Sequence, residues 1–123
     1  MTHTAELFET AIAWAKKRGF KNIKANTEDF DSPKPFKRPV DENGNEPDPV
    51  IPDLTGMQSS GKSYVEIACK TDQVQDLISK WKLLATMAQM KGGKLYLLTP
   101  RGHKAFTENI VKVYNLEARI VSI

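Results

Sequence analysis

Residues 50–70 read Val50-Ile51-Pro52-Asp53-Leu54-Thr55-Gly56-Met57-Gln58-Ser59-Ser60-Gly61-Lys62-Ser63-Tyr64-Val65-Glu66-Ile67-Ala68-Cys69-Lys70, and two folds compete for them. Residues 56–63 fit GxxxxGK[ST], a phosphate-loop pattern. In such a loop the backbone N–H groups cradle phosphates, the lysine reaches the β and γ phosphates, and the serine holds magnesium. That mechanism needs an apolar strand before the loop and a helix directly after it. Here Pro52 and Asp53 interrupt the first. Tyr64-Val65-Glu66-Ile67 favours a strand, although Tyr64, Ile67, Ala68 and Thr71 also keep helical spacing. The later apolar stretch 95–99 carries no aspartate for the magnesium side, and 123 residues are few for a nucleotide-hydrolysing domain. The preferred reading is a hairpin, with strands over 50–57 and 62–70 joined by Gln58-Ser59-Ser60-Gly61 and Lys62 facing solvent. Val65, Ile67 and Cys69 then point one way and Glu66, Ala68 and Lys70 the other.

The flanking sequence supplies the rest of an α/β domain. Ala5, Phe8, Ala11, Ile12 and Ala15 make the apolar stripe of a first helix over 4–18, with Thr4 as N-cap and Gly19 as the stop. Residues 20–25 alternate as a short strand, with Phe20, Asn22 and Lys24 on one face. Residues 27–49 hold five prolines and a tight-turn signal at Asn43-Gly44, which reads as a Pro-rich acidic excursion containing a small hairpin. A second helix is expected over 73–91, with Val74, Leu77, Ile78, Trp81, Leu84, Ala85 and Ala88 inward and Gly92-Gly93 ending it. A strand at 95–98 follows. Thr99-Pro100 reads as the cap and first turn of a last helix, which reaches Asn115 and buries Ala105, Phe106, Ile110, Val113 and Tyr114. Residues 118–123 close the chain as a strand. The order is αβββαβαβ, a single domain over 1–123 with a mixed central sheet flanked by helices.

Composition excludes several classes. No apolar run approaches the ~18 residues of a membrane span, and the N-terminus lacks a secretion signal, so a cytoplasmic protein is expected. Cys69 is the only cysteine, which rules out an internal disulfide or a cysteine-built zinc cage within the chain. Its place in an apolar run suits packing. Net charge is +3 over residues 1–26, −5 over 27–53 and +5 over 54–123. An acidic middle between basic ends suits a central cation surrounded by a polyanion, and equally an ordinary solvated surface. The stretch Asp41-Glu42-Asn43-Gly44-Asn45-Glu46 opens like a calcium loop but has Glu46 where the turn glycine belongs and Pro52 where the bidentate glutamate belongs. Trp14 and Trp81 read as packing, His3 and His103 as surface, and Phe36-Lys37-Arg38 as a basic loop able to touch phosphate.

One constellation carries chemistry. In the hairpin, Asp53 and Glu66 sit on paired strands and can converge on one point of the sheet. Two carboxylates so placed repel each other, and a hard divalent cation compensates. Lys70 shares the face of Glu66.

Pro52-Asp53 on the second strand and an acid followed by a lysine on the third, within αβββαβ, resemble the PD-(D/E)xK nuclease superfamily, also called restriction-endonuclease-like. The resemblance runs from the first helix to the strand at 95–98. It implies a metal-dependent DNA endonuclease or exonuclease using Mg2+ or Mn2+. Asp53, Glu66 and the Ile67 carbonyl would be metal ligands, with Glu9 from the first helix, Glu6 being the weaker choice. Asp53, Glu66 and Lys70 would form the catalytic set. The family's lysine stands two residues after the acid, where this chain has Ala68, so Lys70 is displaced one step along the face. Some members supply this base from the following helix, where Lys80 and Lys82 stand. Lys80, Lys82 and Arg101 are the candidate nucleic-acid contacts. The alternatives are an inactive module of the same fold that binds nucleic acid or protein, and a phosphate-loop nucleotide-binding protein. DNA is the expected partner, and a homodimer or a protein partner is compatible with the sequence.

Overall fold

The computed structural model describes residues 4–46 and 48–123; His3 and Pro47, both read above, lie outside the described residues. The elements are α1 (Ala5–Lys17), β1 (Lys21–Ala25), β2 (Leu54–Gln58), β3 (Gly61–Ile67), α2 (Val74–Met90), β4 (Gly92–Thr99), α3 (Lys104–Tyr114) and β5 (Arg119–Ser122). The strands form one mixed sheet in the order β1-β2-β3-β4-β5, antiparallel from β1 to β3 and parallel from β3 to β5. The expected α/β class and element order therefore hold.

Residues 56–63 lie in β2, a two-residue turn and β3, with Gly56 paired to Ser63 and Met57 to Lys62. No helix follows, so the phosphate-loop geometry is not formed. The glycines of the pattern serve close packing instead. A Cβ on Gly56 would stand 2.6 Å from the Phe20 ring, and one on Gly61 would stand 2.0 Å from the Lys91 carbonyl oxygen. Gly93 is tighter still, its missing Cβ falling 1.9 Å from the Lys62 carbonyl oxygen. The hairpin and the α2–β4 junction thus meet backbone to backbone. Gly93→Ala is expected to cost about 3 kcal/mol or more, since backbone and not a yielding side chain is in the way. Denaturant melts check this, and a variant within about 0.5 kcal/mol of the parent refutes it. The Ser63 hydroxyl donates to Gln58 Oε1 at 2.5 Å and accepts from the Lys94 N–H at 3.1 Å, so both its roles are structural.

The alternation of β3 sorts the two cores. Val65, Ile67 and Cys69 pack with Phe8, Ala11, Ile12 and Ala15 of α1 on one side of the sheet. Tyr64 and Ala68 pack with Ile78, Trp81, Leu84, Ala85 and Ala88 of α2, and with Ile110 of α3, on the other. Helices therefore flank both faces, as expected. Thr4 caps α1, its Oγ1 accepting from the Leu7 N–H. No described helix is long and apolar enough to cross a membrane.

Several expected details are corrected. Strand β2 begins at Leu54, because Val50 instead pairs with Phe36 in an isolated antiparallel bridge that closes the acidic excursion. Within that excursion Asp41 Oδ1 accepts from the Asn43 and Asn45 N–H groups, a turn-making role. Strand β3 ends at Ile67, leaving Lys70 beyond it. Alternation in β1 fails: a bulge between Lys21 and Lys24, with Asn22 at φ 52°, puts Phe20, Ile23 and Ala25 against one core. The glycine pair follows the Lys91 C-cap and ends α2 as expected, but β4 already begins at Gly92 rather than at Leu95. Thr99 ends β4, its hydroxyl donating to the Val121 carbonyl, and cannot cap α3, which starts after His103. Of the face expected to be buried in α3 only Ile110 is fully buried, with Thr107 beside it, because the helix packs only its Thr107 and Ile110 side; Val113 and Tyr114 are exposed. Lys62 does not simply face solvent; it is half-buried, its ammonium 5.5 Å from the centre of the Tyr64 ring.

Candidate functional site

Two buried acids stand at the open end of the β2–β3 hairpin, away from its turn and on the α2 side of the sheet. Asp53, one residue before β2, is 5% exposed and Glu66 is 2% exposed. Each binds the backbone beside the other. Glu66 Oε2 accepts from the Asp53 N–H at 2.7 Å, and Asp53 Oδ2 accepts from the Ile67 N–H at 2.9 Å. This reciprocal arrangement fixes both carboxylates without using their second oxygens. Those oxygens face a third residue. The Lys80 ammonium, from the second turn of α2, lies 2.9 Å from Glu66 Oε1 and 3.9 Å from Asp53 Oδ1.

The electrostatics follow from burial. Desolvation, then repulsion from Asp53, push the Glu66 carboxyl up to about 8, against the pull of Lys80 and the Asp53 N–H. Burial works against the charge on Lys80 too, but attraction to Glu66 and Asp53 outweighs it and holds the ammonium above the ordinary lysine range. The Glu66 carboxyl takes up a proton as pH falls through about 8. Glu66 is thus an acid whose folded-state value exceeds its unfolded value near 4.5. Its contribution to stability is full below about 4.5 and is lost as pH rises through about 8. Lys80 stays charged throughout that window and adds no slope there. Metal-free protein should accordingly lose up to about 1.4 kcal/mol per pH unit across it. Urea melts at stepped pH should show this decline, and Glu66→Gln should flatten it; an unchanged slope in the variant would refute the assignment.

A cavity of about 150 Å3 opens beside these groups, lined by Arg38, Glu66, Ile67, Cys69, Asp76 and Lys80 among others. Lys70 is exposed, and its N–H donates to His103 Nδ1 at 2.8 Å. Lys80, not Lys70, brings its ammonium to the carboxylates. The sequence signal was its place beside the core stripe of α2; only docking of the helix shows which flank faces the acids. Lys82 sits over the Tyr114 ring at 5.1 Å, facing α3. Arg101 is exposed in the turn after β4. Glu9 is exposed and lines a separate depression with Asn26, Glu28 and Phe30. Arg38, beside the site, was legible only as part of a basic loop. Trp14 packs edge-on against Phe20 and Tyr96, consistent with a packing role.

A divalent cation suits the two second oxygens, Asp53 Oδ1 and Glu66 Oε1. They converge, are acceptor-only when ionised, and already share one cation, the Lys80 ammonium. Magnesium commonly takes one or two carboxylates and fills its remaining positions with water and phosphate. Among the described residues no third His, Cys, Asp or Glu joins them. No family model, curated protein or solved structure matches this chain.

Proposed function

We propose that the chain is a metal-dependent DNA nuclease of the restriction-endonuclease-like type, with Lys80 in place of the strand-borne lysine. The observation that carries this is the convergence of Asp53, Glu66 and the Lys80 ammonium. The αβββαβ order with antiparallel β1–β3 and parallel β3–β4 supports it further. Asp53 and Glu66 would hold Mg2+ or Mn2+ through Oδ1 and Oε1, with the Ile67 carbonyl as a further candidate ligand. The bound ion would activate water and stabilise charge developing on the scissile phosphate. The residues themselves do the positioning. The Asp53 and Ile67 N–H groups lock the carboxylates, and α2 holds Lys80 over them. With its pKa held high, Lys80 acts as a charged donor that orients water or phosphate oxygen, and not as a general base. Arg38, at the same cavity, is placed to engage a phosphate.

The test is cleavage of single-stranded, double-stranded and branched DNA by purified protein with Mg2+ or Mn2+, in parallel with Asp53→Ala. Cutting that the variant loses supports the reading; intact metal binding with no cutting overturns it. A second reading, a DNA-binding module without catalysis, is favoured by one observation: Lys80 already neutralises part of the acid charge, and among the described residues no third His, Cys, Asp or Glu joins the pair.

A further inference from the structure

The segment 34–38, Lys34-Pro35-Phe36-Lys37-Arg38, crosses the α2 side of the sheet with a cation toward each end of its path. Phe36 is pinned twice: its backbone pairs with Val50, with N–H to carbonyl distances of 2.8 Å both ways, and its ring packs 6.0 Å from that of Tyr64. Two residues on, Arg38 lines the cavity of Glu66 and Lys80. Two residues back, Lys34 is near enough to Lys62 to repel it. Side chains at 34, 36 and 38 follow the period of an extended chain.

The far end of this path is a cluster of like charges. Lys24 pairs with Thr55 and Thr55 with Tyr64, so Lys24 shares the sheet face of Tyr64, Lys62 and Glu66. Helix α2 packs on β3 and β4, leaving the β1–β2 end of this face to Lys24, Lys62 and the exposed Met57. A cavity of about 410 Å3 lies there, lined by Lys24, Lys62, Thr55 and Met57, with Asp31 its one lining carboxylate. Partial burial and then repulsion from Lys24, Lys91 and Lys34 lower the Lys62 pKa. Among the described residues no carboxylate stands within ion-pair distance of Lys62 or Lys24. Lys24 and Lys62 line the cavity, and the charges of Lys34 and Lys91 also act on Lys62; an anion with several charges relieves this concentration of positive charge.

We propose that segment 34–38 and the Lys24–Lys62 edge form a phosphate-binding track that carries a DNA strand away from the Asp53–Glu66–Lys80 site. The DNA identity of the ligand rests on the nuclease reading; the track itself rests on the charges and their placement. Lys62 and Glu66 are four residues apart on one strand, roughly 13 Å. That spans about four nucleotides of a duplex strand at about 3.4 Å rise each. Arg38 meets the phosphate next to the site, and Lys34, Lys62 and Lys24 meet phosphates further along.

Fluorescence anisotropy in EDTA, with labelled single-stranded and duplex 20-mers over a salt series, tests the track without cleavage. Lys24→Gln, at an exposed position, and the Lys24→Gln/Lys62→Gln pair should weaken binding. Each lysine lost should reduce the salt slope by about 0.7 for single strands or about 0.9 for duplex. Hydrolysis of bis(p-nitrophenyl) phosphate, too small to reach the track, should stay at the parental rate in folded variants. Parental affinity and slope in Lys24→Gln overturn the proposal, as does equal loss of binding to polyglutamate with no preference for DNA. If the parent hydrolyses neither substrate but the slope loss persists, the track stands and the nuclease reading falls.

Discussion

Lys80→Ala should lower Mg2+-dependent cleavage by about 100- to 10,000-fold, the range over which a positioned proton-handling or charge-stabilising group usually acts. Lys70→Ala should leave the rate within about threefold, a margin set by ordinary surface substitution. The contrast follows from placement. The Lys80 amine is 2.9 Å from Glu66, whereas Lys70 lies past the end of β3, its backbone tied to His103. Removing Lys80 also strands two buried carboxylates, so folding must be controlled. Lys80→Arg keeps the charge but spreads it over a planar fork, and should retain the fold while recovering little activity. Thermal melts beside single-turnover cleavage separate the two effects. Equal losses in the Lys70 and Lys80 variants, with both folded, would refute the assignment of Lys80.

Asp53→Asn should abolish Mg2+ or Mn2+ binding by calorimetry, with cleavage lost to the same degree. The substitution preserves size and leaves a carbonyl able to accept from the Ile67 N–H, so the hairpin is spared. Binding to the parent should release close to one proton at pH 7, because Glu66 is then largely protonated and must ionise to serve as a ligand. Affinity should therefore rise with pH and level off above about 8. Titrations in two buffers of different ionisation enthalpy measure the proton directly. Binding that is indifferent to pH between 6 and 9 would be incompatible with Glu66 as a ligand (the window brackets its value of about 8).

The hairpin, the two-sided core and the carboxylate pair were legible because they depend on local alternation. In residues 64–69 a period of two sorts each side chain to a face, and the structure keeps that sorting. The failures are non-local. Thr99-Pro100 carries a helix-start signal, yet the pairing of β4 with β5 claims Thr99 for the sheet. The bulge in β1 depends on how β2 meets it, which no single strand announces. Lys80 needed the position of α2 on the sheet, and Arg38 needed the Phe36–Val50 bridge across a proline-rich loop. Glu9 sits on a helix that packs against the opposite face of the sheet, so spacing along α1 could not by itself bring it to the acids.

Placing the ammonium on α2 separates it from the carboxylates by a packing interface, with Trp81, the next residue, buried beneath it. A chain that has closed only the β2–β3 hairpin holds both acids and no cation. The acids and the ammonium are therefore brought together only when α2 is docked, and are parted if α2 lifts away, even with the sheet intact. Assembly of the three charges thus reports on tertiary docking and not on hairpin formation alone, because the ammonium arrives only with the helix.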